Sequence, residues 1–194
     1  MRWVVAVLAI AVVTLVALVV VGRLWPGNRM AYAEFTSPEL HVRFNYPAGW
    51  RVQEVPKTST TLGEIQIFGP RREELQYSLF LDLTVKPLTE TGPKTLEEAS
   101  SESLKEQRTL PRFQLLDERA VRCGHTAARQ RRISYELQLP LYGAAQKPVT
   151  IHELSLTCLH GSRLYQLSYA APADDFSNYE QAFHRFVRSF TILP

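Results

Sequence analysis

An uninterrupted apolar run near the N-terminus constrains this chain more than any other feature. Trp3 to Val21 is 19 residues long, carries no charge and has Thr14 as its single polar residue. As a helix it would be about 28 Å long, which matches the hydrocarbon thickness of a bilayer. Trp3 and Trp25 flank the run, and tryptophan is enriched at membrane interfaces. The sequence therefore predicts a transmembrane anchor over residues 1–22.

The processing and the orientation of this segment are open to two interpretations. Ala31–Ala33 has the small-x-small pattern of a signal peptidase site, but Arg23 and Arg29 lie between it and the apolar run, which favours an uncleaved anchor over cleavage after Ala33. Because Arg23 and Arg29 follow the apolar run, the positive-inside rule would place the rest of the chain in the cytoplasm. The start of the chain resembles a signal sequence, since the apolar run follows Arg2 directly, and this favours export. We expect a single-pass protein of the cell membrane with an extracytoplasmic domain.

The positions of the charges exclude a nucleic-acid partner. The net charge is +3, and Arg2, Arg23 and Arg29 all precede Glu34, the first of the 19 acidic residues. From Glu34 onward, 19 basic residues stand against 19 acidic ones, so this part of the chain is neutral overall. Nucleic-acid affinity depends mainly on a positive surface, which a neutral domain lacks. Arg129, Arg131 and Arg132 form the single dense basic spot, and their alternation fits a strand with a solvated face.

The remaining chain divides into a linker and one folded domain. Residues 23–38 contain Pro26, Gly27 and Pro38, which is typical of a linker. Residues 39–194 are numerous enough to enclose one hydrophobic core. The alternation of apolar and polar residues predicts a series of strands in this domain. They cover Leu40–Tyr46, a return from Trp50 after a turn at Pro47–Gly49, Ile65–Phe68, Ser78–Lys86, Phe113–Arg119, Thr126–Leu139, Val149–Leu159, Arg163–Ala171 and Ser189–Leu193.

Two segments of the domain have helical periodicity. Thr95–Gln107 begins with Thr95 and Glu98 at the spacing of a capping box, and its apolar stripe is weak. Pro172–Arg188 has a strongly apolar stripe that must pack on a sheet, with Ser177 and Glu180 as a second capping box. Its stripe consists of Phe176, Tyr179, Phe183, Phe186, Val187 and Phe190. The expected fold is α+β, with an antiparallel sheet sandwiched by helices and preceded by one transmembrane helix.

Three stretches together resemble the PsbP-like superfamily, named for an extrinsic subunit of photosystem II. They are Phe44–Trp50, with the sequence FNYPAGW, Arg163–Tyr169, with the sequence RLYQLSY, and the terminal helix with Phe183, Phe186, Ser189 and Phe190. The resemblance implies an antiparallel sheet sandwiched by helices and a binding or assembly role without catalysis. No partner-binding residue follows from it, because the matched positions have the character of core residues.

The two cysteines form the one site that the sequence singles out. Cys123 and Cys158 are an even pair in strand-like stretches of a domain expected to be exported, where a disulfide is favoured. The alternative is a pair of buried, reduced core cysteines. The sequence leaves both interpretations open.

Residues with catalytic or metal-binding spacing are otherwise missing from the sequence. His152, Cys158 and His160 share one strand face, but a metal site would need further ligands from elsewhere. The phosphate-loop, dinucleotide and nucleophile-elbow patterns are absent. We therefore expect no enzymatic activity, no cofactor and no metal.

The anchor, the neutral domain and the missing chemistry favour one function. We expect a membrane-anchored binding or assembly module that acts on an envelope protein complex, with a protein partner whose identity the sequence does not reveal. The alternative is a carrier of a small ligand or lipid, with an apolar cavity between the sheet and the aromatic stripe of the last helix.

Overall fold

The computed structural model describes residues 30–141 and 146–194. The predicted anchor, residues 1–22, lies outside this part of the chain, as do the first residues of the predicted linker. Within the two described ranges, no helix combines the length and the apolar composition that crossing a membrane requires.

Ten strands and two helices make up the described part of the chain. Their bounds are β1 (Tyr32–Ser37), β2 (Val42–Pro47), β3 (Arg51–Val55), β4 (Gly63–Arg72), β5 (Tyr77–Pro87), α1 (Leu96–Gln107), β6 (Gln114–Cys123), β7 (Thr126–Leu139), β8 (Lys147–His160), β9 (Arg163–Pro172), α2 (Ala173–Ser189) and β10 (Thr191–Ile192). The predicted α+β class, with antiparallel strands and two helices, is confirmed for this domain.

The strands form two antiparallel sheets, where one was expected. A small sheet has the order β1-β2-β10, and a large sheet has the order β3-β4-β5-β9-β8-β7-β6. α1 packs on β7 and β8 from one side of the large sheet, whereas α2 contacts β8, β9 and also β2. The helices therefore lie on opposite faces of the large sheet, and α2 also contacts the small sheet.

The predicted linker boundary is wrong. Residues 32–37 form β1, which pairs with β2 from Tyr32 opposite Pro47 to Ser37 opposite Val42. Glycine and proline had suggested an irregular segment up to Pro38, but the backbone hydrogen bonds of β2 are satisfied by this added strand. The peptide bond after Ala33, the candidate cleavage site, lies inside β1.

The Phe44–Trp50 stretch does not form a hairpin, so the predicted return along the first strand is wrong. β2 pairs with β1 and β10 in the small sheet, whereas β3 pairs with β4 in the large sheet. Gly49 has φ +88°, a left-handed conformation that glycine adopts without a steric penalty. The turn at this glycine sends the chain from one sheet to the other.

α1 begins as its sequence predicts. The Thr95 hydroxyl accepts a hydrogen bond from the Glu98 backbone N–H at 3.1 Å, and the Glu98 carboxylate accepts one from the Thr95 N–H at 3.3 Å. This reciprocal pair is a capping box, which satisfies two donors that a helix start leaves free. The helix ends at Gln107, the predicted residue.

α2 carries the predicted aromatic stripe, and the stripe is the centre of the core. Phe183 and Phe186 are fully buried, and Phe176 and Phe190 are 2% exposed. The Phe186 ring meets Phe44 of β2 edge to face, with 4.6 Å between centroids. The predicted capping box at Ser177 is wrong, because the helix already starts at Ala173 after Pro172.

β4 continues through Gly69 and Pro70, where the sequence predicted its end. The pairing with β5 shifts register between Phe68 and Arg71, so Gly69 and Pro70 lie in an irregular stretch of the strand. A Cβ atom at Gly69 would come within 2.7 Å of the Trp50 ring. The Trp50 ring also packs against Tyr179 of α2, with 6.0 Å between centroids. Glycine is therefore needed here so that the indole can close over the strand.

We expect Gly69→Ala to lower the free energy of unfolding by about 1–3 kcal/mol, the usual cost of overpacking a filled site. Chemical denaturation of the purified protein measures this loss. The second variant Trp50→Leu removes the clashing ring, so Gly69→Ala should cost much less in that background. Equal costs in both backgrounds would show that the indole is not what excludes a larger residue.

Candidate functional site

One face of the large sheet carries a row of polar residues that crosses all seven strands. Residues paired across neighbouring strands have their side chains on the same face. From β3 to β6 the row is Gln53, Gln66, Asp82, Ser168, Ser155, Arg131 and Glu118. The opposite face carries the buried residues that meet α2. The α2 face of this sheet is therefore mainly apolar, whereas the other face combines the polar row with a smaller apolar cluster that includes Ile133, Ile151 and Ala170.

α1 covers the β7–β8 end of the row and is attached to it by hydrogen bonds. Arg131 is 4% exposed, and its guanidinium donates to Glu118 at 3.1 Å and to Ser100 of α1. The Gln107 side-chain amide donates to Ser155 at 3.1 Å. A buried guanidinium needs such partners, because leaving its charge unpaired would cost several kcal/mol. These polar groups hold the helix in place.

Glu153 lies under the same helix and has a similar structural role. Its carboxylate accepts hydrogen bonds from the Tyr135 hydroxyl at 3.2 Å and from the Gln107 amide at 3.3 Å. Burial raises the pKa of Glu153, and the two hydrogen bonds act in the opposite direction. The nearby Tyr77 hydroxyl is buried and has no hydrogen-bond partner among the described residues.

The β4–β5 part of the polar face holds two neighbouring carboxyl groups, Asp82 and Glu64, which we call the acid pair. They lie on the same face of adjacent strands; the Thr84 hydroxyl donates to Asp82 at 3.0 Å, and the Gln66 amide donates to Glu64. Burial, followed by the negative charge of Glu64, raises the pKa of Asp82 to about 8. Ionising Asp82 is therefore unfavourable in the folded domain, so the acid pair holds a proton to a higher pH than an exposed aspartate would.

The acid pair has negative charge around it. The carboxyl groups that act on Asp82 are Glu64 on the adjacent strand β4 and, more weakly, Glu153 on β8, two strands away. Lys86 is on the same face but four residues further along β5, a distance of about 13 Å. A proton bound to the acid pair offsets part of the repulsion between the carboxylates. A cation from outside the domain could take the place of this proton, because a positive charge nearby favours the ionised form of a carboxyl group. The arrangement is thus suited to bind a positively charged group.

The structure brings the two predicted cysteines together as free thiols. Cys123 and Cys158 are both buried in the core under α2. A hydrogen bond with the Cys158 thiol, together with burial, raises the pKa of Cys123. The pair occurs here in its reduced form, and the disulfide stays a prediction.

The histidine and cysteine residues that share one face of β8 do not converge. His152 packs against the Phe176 ring at 5.5 Å between centroids, Cys158 is in the core, and His160 is exposed at the strand end. Burial, followed by the charge of Arg132, lowers the pKa of His152. In residues 30–141 and 146–194, no group of three or more histidine, cysteine or acidic residues is placed to hold a metal ion.

The basic spot on β7 is neutralised within the domain. Arg129, Arg131 and Arg132 each form an ion pair with a carboxylate from another element. The partners are Glu97 at 3.1 Å, Glu118 at 3.1 Å and Glu180, respectively. The predicted solvated face is wrong for Arg131, because α1 covers it. These arginines therefore attach the two helices and β6 to β7.

Sequence reasoning missed the acid pair. Alternation placed Asp82 on the polar face of its strand, and the same alternation around Ile65 and Ile67 would have placed Glu64 on the polar face of its own. What the sequence does not reveal is the register, in which Glu64 lies opposite Thr84 and Gln66 opposite Asp82. That register depends on how the two strands pack on the common core.

We expect Asp82→Asn to change the pH dependence of stability. The raised pKa means that folded Asp82 keeps a proton that the unfolded chain releases above pH of about 4, so stability is lost as the pH rises from about 4 toward 8. The variant removes this loss. It should equal the native protein near pH 4 and exceed it by about 1–3 kcal/mol near pH 8.

Urea unfolding at a series of pH values measures this difference. Asp117→Asn is the matched control, because Asp117 is more than half exposed, and it should leave the profile unchanged. Profiles of the native protein and Asp82→Asn that stay parallel from pH 4 to 8 would contradict a protonated Asp82.

Comparisons with known proteins identify the fold. No protein-family model matches the sequence, and no curated protein does. Among solved structures, cyanobacterial PsbP from Synechocystis superposes with a TM-score of 0.56 at 14% identity, over 84% of this chain and 93% of that one. The Ran-binding protein Mog1p of Saccharomyces cerevisiae gives 0.55 at 16% identity, over 84% and 96%.

A third structure of the same type is LpqN, which is involved in cell envelope biogenesis of Mycobacterium tuberculosis. It superposes with a TM-score of 0.54 at 20% identity, over 87% of this chain and 94% of that one. The resemblance found in the sequence is thereby confirmed at the level of the fold: the chain has the PsbP/Mog1 fold.

Proposed function

We propose that this protein is a membrane-anchored, non-enzymatic module that binds a protein component of an envelope complex. The apolar run Trp3–Val21 supplies the anchor in this proposal, and the folded domain lies on the outer side of the membrane. The fold supports a binding role, since Mog1p is a Ran-binding protein and LpqN is involved in cell envelope biogenesis.

The observation that carries the proposal is the acid pair on the open part of the polar face. Asp82 and Glu64 repel each other when both are ionised, and the nearby Glu153 adds to that repulsion. A lysine or arginine side chain from a partner would displace the shared proton and form charge-assisted hydrogen bonds. Gln66 and Ser168 next to Asp82 offer further hydrogen bonds to a partner backbone. The surface is therefore suited to a basic protein segment.

Several other titratable groups of the described domain have structural partners, which favours binding over catalysis. His184 and Arg132 both contact Glu180, and Arg131 contacts Glu118. Glu153 is fixed by Tyr135 and Gln107 as described above. A nucleophile or general base must reach a substrate within hydrogen-bonding distance. These groups instead hold helices and strands together, which favours a module that recognises a partner.

The carrier alternative needs an apolar cavity between the large sheet and α2. The aromatic side chains that would line it pack on one another instead. Tyr169 lies 5.0 Å from Phe176 and 6.5 Å from Phe183 between ring centroids, and Tyr165 lies 5.8 Å from Phe190. Because these rings pack closely on one another, they fill the space between the large sheet and α2 where the cavity would have to lie. We therefore favour the binding module over the carrier.

We expect loss of the acid pair to abolish partner binding. The tagged full-length protein is purified from detergent extracts of the cells that produce it, as the native chain and as Asp82→Asn/Glu64→Gln. The native chain should retain one partner in stoichiometric amount, and the double variant should retain at least about tenfold less, since truncating a desolvated charge pair costs several kcal/mol. Retention should rise from pH 6 to pH 8.5, because ionised Asp82 is the binding form.

The matched control is Glu90→Gln/Glu102→Gln, which removes two exposed carboxylates elsewhere and should retain the partner fully. Equal recovery by all three proteins, or recovery of the native chain alone, would contradict the proposed docking surface. The anchor is checked in the same cells: the chain should sediment with membranes until detergent is added. Recovery in the aqueous fraction would contradict it.

A further inference from the structure

β6 is a long edge strand whose outer side has no neighbour within the described chain. It pairs with β7 along one edge and ends the order of the large sheet. Eight of its ten residues are exposed, from Gln114 to Ala120 and at Arg122. Leu115 and Leu116 are 40% and 46% exposed. Such a strand presents free backbone N–H and C=O groups that can pair with another strand.

The charges of β6 change from acidic to basic along the strand. A bulge at Leu116 interrupts the pairing with β7, and the regular part runs over the seven residues from Asp117 to Cys123. Asp117 and Glu118 begin this part, Arg119 and Arg122 follow, and Ala120 is its midpoint. Charged side chains on an edge strand oppose its pairing with unrelated strands. An acidic start followed by a basic end is instead complementary to its own reverse.

We propose that two copies of this chain pair antiparallel through β6, with the twofold axis at Ala120, so that their large sheets become one continuous sheet. This interface lies at the opposite end of the polar face from the acid pair. It is therefore independent of the partner proposed above.

The register follows from the symmetry. A twofold axis perpendicular to the sheet keeps each side chain on its own face, so opposite residues must lie an even number of positions apart. With Ala120 on the axis, Glu118 faces Arg122 of the partner subunit, and the symmetric pair repeats this contact. Directly opposed residues have Cβ atoms about 5 Å apart, where opposite charges attract and like charges repel.

The side chains next to the axis fit this arrangement. Ala120 lies opposite Ala120 of the partner subunit at the axis, where the two strands come closest. Two small, uncharged methyl groups fit there without a clash. Glu118 is a third exposed and is already turned toward Arg131 on its own chain, so Arg122 of the partner subunit would complete a three-membered charge cluster. In the seven regular residues no like charges come directly opposite each other. The charge pattern of β6 is therefore complementary to a second, antiparallel copy of the same strand.

The first test measures the mass of the full-length protein in detergent by light scattering over a range of concentrations. The protein component should reach twice the 22.1 kDa of one chain. Arg122→Glu places like charges opposite Glu118 on both sides of the twofold axis and should weaken association at least about tenfold. Arg43→Glu makes the same charge change on β2 of the small sheet and should leave it unaltered. A monomer at every concentration, or equal association of both variants, would overturn the proposal.

The second test reads the register directly. Ala120→Cys places two thiols opposite each other at the axis, within the Cα separation that a disulfide allows. Under mild oxidation this variant should form a covalent dimer in high yield. Gln53→Cys, at the other edge of the same sheet, should remain mostly uncrosslinked. Association through the anchor alone would leave both cysteine variants equally uncrosslinked and both arginine variants equally dimeric, which would contradict pairing through β6.

Discussion

The aromatic face of α2 is the contact on which the rest of the domain depends. Its phenylalanines touch both sheets: Phe186 meets Phe44 of the small sheet, and Phe183 stacks on Tyr169 of the large one. Each ring buried in this layer contributes several kcal/mol of apolar burial and adds edge-to-face contacts. A three-stranded sheet with a two-residue edge strand such as β10 would be marginal alone. Its attachment to α2 makes the two sheets one domain.

Packing α2 on one face of the large sheet decides what the other face can do. The larger apolar cluster lies on the α2 side, and the opposite face keeps a smaller one that includes Ile133, Ile151 and Ala170. α1 lies on β7 and β8 of that face and is attached through polar groups such as Arg131 and Gln107. The rest of the face keeps the polar row with the neighbouring carboxyl groups Asp82 and Glu64. The candidate site is therefore a consequence of an asymmetric sandwich, in which the larger core lies under one helix and the other helix lies on a partly polar face.

The sequence predicted those elements whose signal is local. The capping-box spacing of Thr95 and Glu98 predicts the start of α1, and the three- and four-residue spacing of the phenylalanines predicts α2. Features that depend on distant partners were missed. β2 pairs with β1 and β10, so the chain leaves the small sheet at Gly49 and β3 joins the large sheet. Residues 32–37 form a strand because β2 offers them a pairing edge. The acid pair was missed because register across β4 and β5 is set by the common core and cannot be read from either strand alone.

Native-state hydrogen exchange of the full-length protein in detergent tests most directly whether α2 joins the two sheets into one unit. If it does, amides of β2, α2 and β9 should exchange at one common slow rate set by global unfolding. Phe186→Ala should accelerate all three segments together. Fast exchange of β2 while α2 and β9 remain protected would contradict the account, because the small sheet would then open independently of the helix that is supposed to hold it.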